Sequence, residues 1–169
     1  LIRSAEQKPN SLLFWIWPSY PMGMTGWTML RAVCDGHWDV SEGRRRVRAP
    51  NGSEIWIKSA DNPQSLRGFG LAGAVLDECR DISPKLWPEV VRPALSDKRG
   101  WAMFNSTPRG YDWFHGLYQF AVDNGPEWAA WTFTTHDNPA MDRAELVEIE
   151  ASTPSLVWRQ EYLADFSAG

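Results

Sequence analysis

The 169-residue sequence predicts an α/β fold with a mostly parallel sheet flanked by helices, and three observations predict it. Apolar runs of strand length recur at 11–20, 71–77 and 100–107. Segments with helical spacing and helix-start signals lie between them. No internal repeat or low-complexity tract interrupts the alternation, which is the pattern of a sheet covered by helices. One domain is the simplest organisation.

In chain order, "SLLFWIWPSY" (11–20) is a continuous apolar run stopped by Pro18 and Pro21, as a strand buried on both faces would be. "MTGWTMLRAVC" (24–34) carries Trp27, Leu30 and Cys34 at helical spacing, with Thr25 as its cap. "RVRAPNGSEIWIKS" (46–59) predicts a hairpin in which Asn51 and Gly52 both take positive φ. "LAGAVLD" (71–77) is the next buried strand. The segment 83–95 predicts a helix capped by Ser83, with Pro84 first and Pro88 and Pro93 kinking it. "GWAMFNST" (100–107) is a third strand, and 111–123 a helix. "EWAAWTFTTH" (127–136) predicts a fourth strand. Asp142 and Glu145 stand in capping-box positions, and a last helix over 153–166 has Thr153 as cap with Pro154 inside.

Composition excludes several classes. Net charge is −4, so any polyanion contact must come from local patches; the strongest, "GRRRVR" (43–48), could touch DNA phosphates, although such a run is more often a solvated hairpin strand. Two cysteines, Cys34 and Cys79, imply neither a zinc site nor a disulfide framework. The three histidines, His37, His115 and His136, show no metal-ligand spacing. No run reaches the ~20 apolar residues that span a bilayer. Eleven tryptophans spread along the chain read as packing.

The chemistry concentrates at strand ends, where open parallel sheets bind ligands. "GAVLDE" (73–78) closes a strand on two carboxylates, Asp77 and Glu78. That is a Walker B pattern, in which the Asp holds Mg²⁺ and the Glu orients the attacking water. "FNSTPRG" (104–110) closes the following strand on hydroxyls, and "QSLRGFG" (64–70) precedes the Asp-Glu strand.

In this order the segments resemble the ATPase domain of the large terminase subunit, the DNA-packaging motor of tailed bacteriophages. The resemblance is carried by "NGSEIWIKSADNPQSLRGFGLAGAVLDE", "LWPEVVRPALSDKRGWAMFNSTPRG", "THDNPAMD" and "WRQEYLADF", and covers about residues 11 to 167. It implies a P-loop NTPase-like sheet of the ASCE/RecA type. It further implies Asp77 as the Mg²⁺-side carboxylate, Glu78 as the catalytic glutamate, and Ser106 and Thr107 as the motif coupling hydrolysis to movement. Arg67 is similar to the family's arginine finger, which reaches ATP in its own or a neighbouring subunit. The implied cofactors are ATP and Mg²⁺. The implied partners are double-stranded DNA, a portal protein, a small terminase subunit and further copies in a ring, in the host cytoplasm and docked on the procapsid portal, with no membrane.

One part of the family pattern has no counterpart here. The four lysines (Lys8, Lys58, Lys85 and Lys98) all lack a preceding glycine, so no G-x-x-x-x-G-K-[ST] occurs. The expectation is a partial ATPase domain over 1–166 that lacks the P-loop strand, leaves a neighbouring strand's edge or face uncovered, and is inactive alone. Residues 167–169 would begin a linker to a nuclease domain. Three rival readings stand beside it: a helicase-type motor domain, a non-catalytic binding module of the same fold, and a nuclease built on Asp77 and Glu78.

Overall fold

The computed structural model describes residues 1–168, and the chain divides into two compact units, Leu1–Asn105 and Ser106–Gly169.

The first unit is built on a six-stranded sheet. Its elements are α1 (Ile2–Gln7), β1 (Leu12–Trp17), α2 (Tyr20–Cys34), β2 (Asp39–Ser41), β3 (Arg46–Arg48), β4 (Glu54–Ser59), β5 (Gly73–Asp77), α3 (Arg92–Ser96) and β6 (Trp101–Asn105). The order is β2-β3-β4-β1-β5-β6, with β4, β1, β5 and β6 mutually parallel and β2 and β3 antiparallel at one edge. β1 lies in the centre, which is why its sequence is apolar at nearly every position instead of alternating. One face packs Leu13, Trp17, Ile55 and Ile57 against Ala5 of α1 and Trp27, Leu30 and Cys34 of α2. The close approach of α2 depends on Gly26, where a Cβ would lie 2.7 Å from Cζ2 of Trp17. Phe14 and Phe104 face the other way, Phe14 stacking on Trp56 and Phe104 meeting Trp87 edge-on.

Several local expectations are corrected. α2 starts at Tyr20 with Ser19 as N-cap, because Pro21 fits the first helical turn; Thr25 lies inside the helix. The hairpin forms between β3 and β4, but only Gly52 has a positive φ. Its loop is longer than two residues, and Asn51 instead ties α1 down by donating to the carbonyls of Ala5 (2.9 Å) and Glu6 (3.1 Å). The strand β2 went unpredicted, since three residues carry too little periodicity to read. The segment 83–95 becomes a π turn, Trp87–Val91, leading into α3, so Ser83 caps nothing. The widened turn falls directly before Pro93, whose ring would clash with a carbonyl of a regular preceding turn.

The second unit contains α4 (Trp113–Asp123), α5 (Arg143–Ser152) and α6 (Ser155–Val157), the last running into a π turn over Trp158–Tyr162. The strand expected over 127–136 does not form: residues 128–134 have no regular structure, and Trp131 and Phe133 are 70% and 74% exposed. Aromatic and β-branched content supplies propensity only, and a strand needs a paired neighbour. Asp142 caps α5 by accepting from Ala144 N at 2.7 Å, without a return bond to Glu145 among the described residues. Thr153 does not cap the last helix, and Pro154 stands before its first turn, not inside it. Of the expected linker, Ser167 and Ala168 lie in a short 3₁₀ turn and Gly169 falls outside the described residues. No helix among the described residues is long and apolar enough to cross a membrane.

Candidate functional site

Parallel pairing brings the carboxyl ends of β1, β5 and β6 to one rim. Asp77 is the last residue of β5 and pairs in register with Asn105, the last residue of β6. Three N–H groups converge on its carboxylate. Trp15 Nε1, from β1, donates to Oδ2 at 2.9 Å. The Glu78 backbone N–H and Asn105 Nδ2 donate to Oδ1 at 3.1 and 2.8 Å. Asp77 is therefore held in one orientation by two neighbouring strands and by its own chain.

Glu78 follows in the left-handed region, at φ 47° and ψ 44°. A non-glycine residue there carries strain, and such strain collects at functional turns. The turn also ends the pleat, so strand alternation no longer sets the Glu78 side chain on the face opposite Asp77. Asp77 thus closes the strand within the sheet, and Glu78 is the first residue beyond it.

Arg67 is exposed, and its position is set from both sides. Leu66, before it, is buried in a 3₁₀ turn (Pro63–Leu66). Phe69, after it, meets the rings of Phe14 and Trp56 edge-on at 5.3 and 5.5 Å. Arg67 Nη1 donates to the carbonyl of Glu89, in the π turn, at 3.1 Å. Lys58 lies over the same three rings at 5.4–5.6 Å, and burial lowers its pKa.

Ser106 and Thr107 come directly after Asn105, as the first residues of the second unit. Among the described residues β6 is the last strand of the sheet and pairs with β5, with Trp101 37% and Met103 51% exposed. In the basic cluster, Arg46 bonds Glu54 at 3.0 Å and Arg45 lies over the Tyr20 ring, while Arg48 stays largely exposed.

Sequence reasoning missed Trp15 and Asn105. The tryptophans read as packing, but Trp15, Trp27 and Trp56 each give their indole N–H to a carboxylate. For Asn105 the signal was present: an amide at a strand end, one residue before the hydroxyl pair.

Residues 5–169 match the family described as terminase large subunit, T4likevirus-type, N-terminal. The chain belongs to that family. It is 29% identical to the large terminase subunit of Escherichia phage T5 over 167 residues, covering 95% of this chain and 38% of that protein. It is 34% identical to the large subunit of Thermus phage G20c over 141 residues, covering 72% of this chain and 29% of that protein. The chain thus spans about a third of the length of the relatives it matches. Among solved structures, the large terminase ATPase domain of Thermus phage P74-26 superposes with a TM-score of 0.76 at 27% identity, covering 95% of this chain and 78% of that one. The large terminase of the thermophilic bacteriophage D6E, in complex with ATP-γ-S, superposes at 0.79 with 14% identity, over 98% of this chain and 42% of that one, and shows the shared fold.

Proposed function

We propose that this chain is the Walker B half of a terminase ATPase, and that in the intact large subunit it hydrolyses ATP to drive double-stranded DNA into a procapsid. The observation that carries this reading is the oriented carboxylate of Asp77 at a parallel strand end, in a chain of the terminase family. A hard carboxylate oxygen fits Mg²⁺, which favours one or two acids plus water over an all-protein cage. Asp77 would hold the ion, which when bound neutralises charge on the transferred phosphoryl group. Glu78, turned out of the pleat, orients and deprotonates the attacking water. Arg67 supplies fixed guanidinium donors to phosphate, in its own subunit or in a neighbour within a ring. Ser106 and Thr107 couple hydrolysis to movement. Portal protein, small subunit, DNA and identical subunits are the partners this role requires, in the host cytoplasm at the procapsid portal. Residues 1–166 form the ATPase part and 167–169 begin the linker.

The P-loop pattern G-x-x-x-x-G-K-[ST] does not occur within these 169 residues. That motif supplies most donors to the β- and γ-phosphates. The 169-residue polypeptide alone is accordingly expected to release no phosphate from ATP; turnover in the pure chain that Glu78→Gln abolishes would contradict this. In the intact large subunit, Glu78→Gln is expected to lower ATP turnover by at least ~100-fold while leaving nucleotide binding within about threefold. Unchanged turnover there would sink the catalytic assignment and favour the non-catalytic binding module.

A further inference from the structure

We infer that Phe69 is a positioning residue for Arg67: docked on Phe14 and Trp56, it fixes the backbone from which the guanidinium reaches phosphate. The inference rests on the reading of Arg67 as a phosphate-contacting arginine, and goes beyond it by naming what holds that arginine in place.

An arginine side chain has many rotamers, so its head is only as well placed as the backbone beneath it. On the upstream side that backbone is held by Leu66, 1% exposed, and by the Arg67 N–H, which donates to the carbonyl of Gln64 at 3.2 Å. On the downstream side stand two glycines, Gly68 and Gly70, with Phe69 between them. Gly68 has φ +82°, and nothing lies within 4 Å of where its Cβ would stand. Glycine is thus required there by the backbone angle and not by packing, and it leaves the turn intrinsically loose.

Phe69 removes that looseness. Its ring meets Phe14 and Trp56 edge-on at 5.3 and 5.5 Å, an arrangement aromatic pairs favour. Phe14 and Trp56 are register partners on β1 and β4, and Phe14 is wholly buried, so the platform under Phe69 is the sheet itself. Lys58 Nζ lies 5.4–5.6 Å from the centroids of all three rings and adds a cation–π attraction to the cluster. Two residues of chain span at most ~7 Å, so fixing Phe69 fixes the Arg67 backbone closely. Phe69 is also only half-buried and lies on the face opposite Ile55 and Ile57, so its ring can be removed without opening the core under α2.

The test uses the intact large subunit, with ATP turnover at saturating ATP and ATP-γ-S binding as separate readouts. Arg67→Ala is expected to lower turnover by about 1000-fold, the scale of an arginine that stabilises the transferred phosphoryl group; single-turnover measurement keeps the residual rate readable. Phe69→Ala leaves Arg67 present but loosely held. It is expected to lower turnover by ~10- to ~100-fold, as a misplacement of about 1 Å does, with ATP-γ-S binding within about threefold of the parent. Combined, the two substitutions are expected to cost no more than Arg67→Ala alone. Phe69→Tyr keeps the ring edge and is expected to stay within about threefold of the parent. A residue that only covers Phe14 would add its full loss on top of Arg67→Ala, and that result overturns the inference. Parent-like turnover in Phe69→Ala overturns it too, as does a loss in Phe69→Tyr as large as in Phe69→Ala. If Phe69→Ala fails to fold, Phe69→Leu takes its place, keeping apolar cover without a ring edge; a loss of at least ~3-fold that vanishes in the Arg67→Ala background supports the role, and parent-like turnover overturns it. The two layers fail differently. Unchanged turnover in Arg67→Ala sinks the reading of Arg67 and the inference with it, whereas a loss in Arg67→Ala alone leaves that reading standing and removes only the role of Phe69.

Discussion

The two units of this chain are stabilised by different physics. In Leu1–Asn105 neighbouring strands withdraw apolar side chains wholly from water, with Leu13, Phe14 and Ile16 of β1 and Ile55 of β4 at 0% exposure, and α2 buries Trp27, Leu30 and Cys34 against them. In Ser106–Gly169 the buried apolar set is small, Ala121, Leu146, Trp158 and Ala168. That unit also holds ring contacts, Phe166 meeting Phe114, His115 and Tyr118, and a series of aspartates accepting from nearby backbone N–H groups: Asp112, Asp137, Asp142 and Asp165. The first unit is thus a core whose stability scales with buried area. The second combines a small set of ring contacts with local caps, and the caps depend on charge and geometry.

The contrast is broken most forcefully from the core side. Ile57 is 1% exposed and packs in the cluster shared by α2 and the sheet. Ile57→Ala is expected to destabilise the first unit by about 3 kcal/mol, from lost burial plus the cavity left behind. Urea denaturation followed by tryptophan fluorescence measures it. A loss under about 1 kcal/mol would mean that the α2–sheet interface is not close-packed.

The same division explains what was legible in the sequence. β1, β5 and β6 could be read because parallel strands covered on their faces are apolar nearly throughout, and "GAVLDE" could be read because it stands in order with "QSLRGFG" and "FNSTPRG", two acids at a strand end being common by themselves. The run 127–136 looked equally strand-like, yet composition carries no information about whether a partner strand lies alongside. Asp142 was legible as a cap, whereas Asp112 and Asp137, which do similar work, were not singled out. Trp15 was beyond reach: its bond to Asp77 spans 62 residues and exists only once β1 and β5 are paired.

A cap substitution probes the second unit on its own terms. Asp112 Oδ1 accepts from the backbone N–H groups of Phe114 (2.9 Å) and His115 (3.1 Å), satisfying two donors that the first turn of α4 would leave unpaired. Asp112→Ala is expected to cost about 1 kcal/mol, and Asp112→Asn much less, since the amide oxygen still caps. Faster amide exchange over the first turn of α4 in the alanine variant alone is the discriminating readout. Equal exchange in both would show that the packing of α4, and not its cap, holds the turn.

Acid titration gives the smallest effect and the sharpest separation of the two regions. Asp137 has its pKa lowered from 3.8, first by the Thr134 backbone N–H and then by the Thr134 hydroxyl. Asp165 is lowered likewise, first by the Ser167 hydroxyl, then by the Ser167 backbone N–H and by Arg159. A carboxylate whose folded pKa lies below its unfolded value binds protons more readily when unfolded. Its contribution is fully present above the unfolded value, near 3.8, and is lost as pH falls through the lower folded value. Both groups are at the surface, so each contributes little and salt weakens the charged part further. Within residues 106–168 the turns at 134–138 and 165–168 are therefore expected to lose amide protection as pH falls below about 3.8, while β1 and β4 keep theirs, because apolar burial does not titrate. Hydrogen exchange across that range decides it. If β1 opens together with the two turns, the chain unfolds as one cooperative block and the division into core-held and cap-held units is wrong.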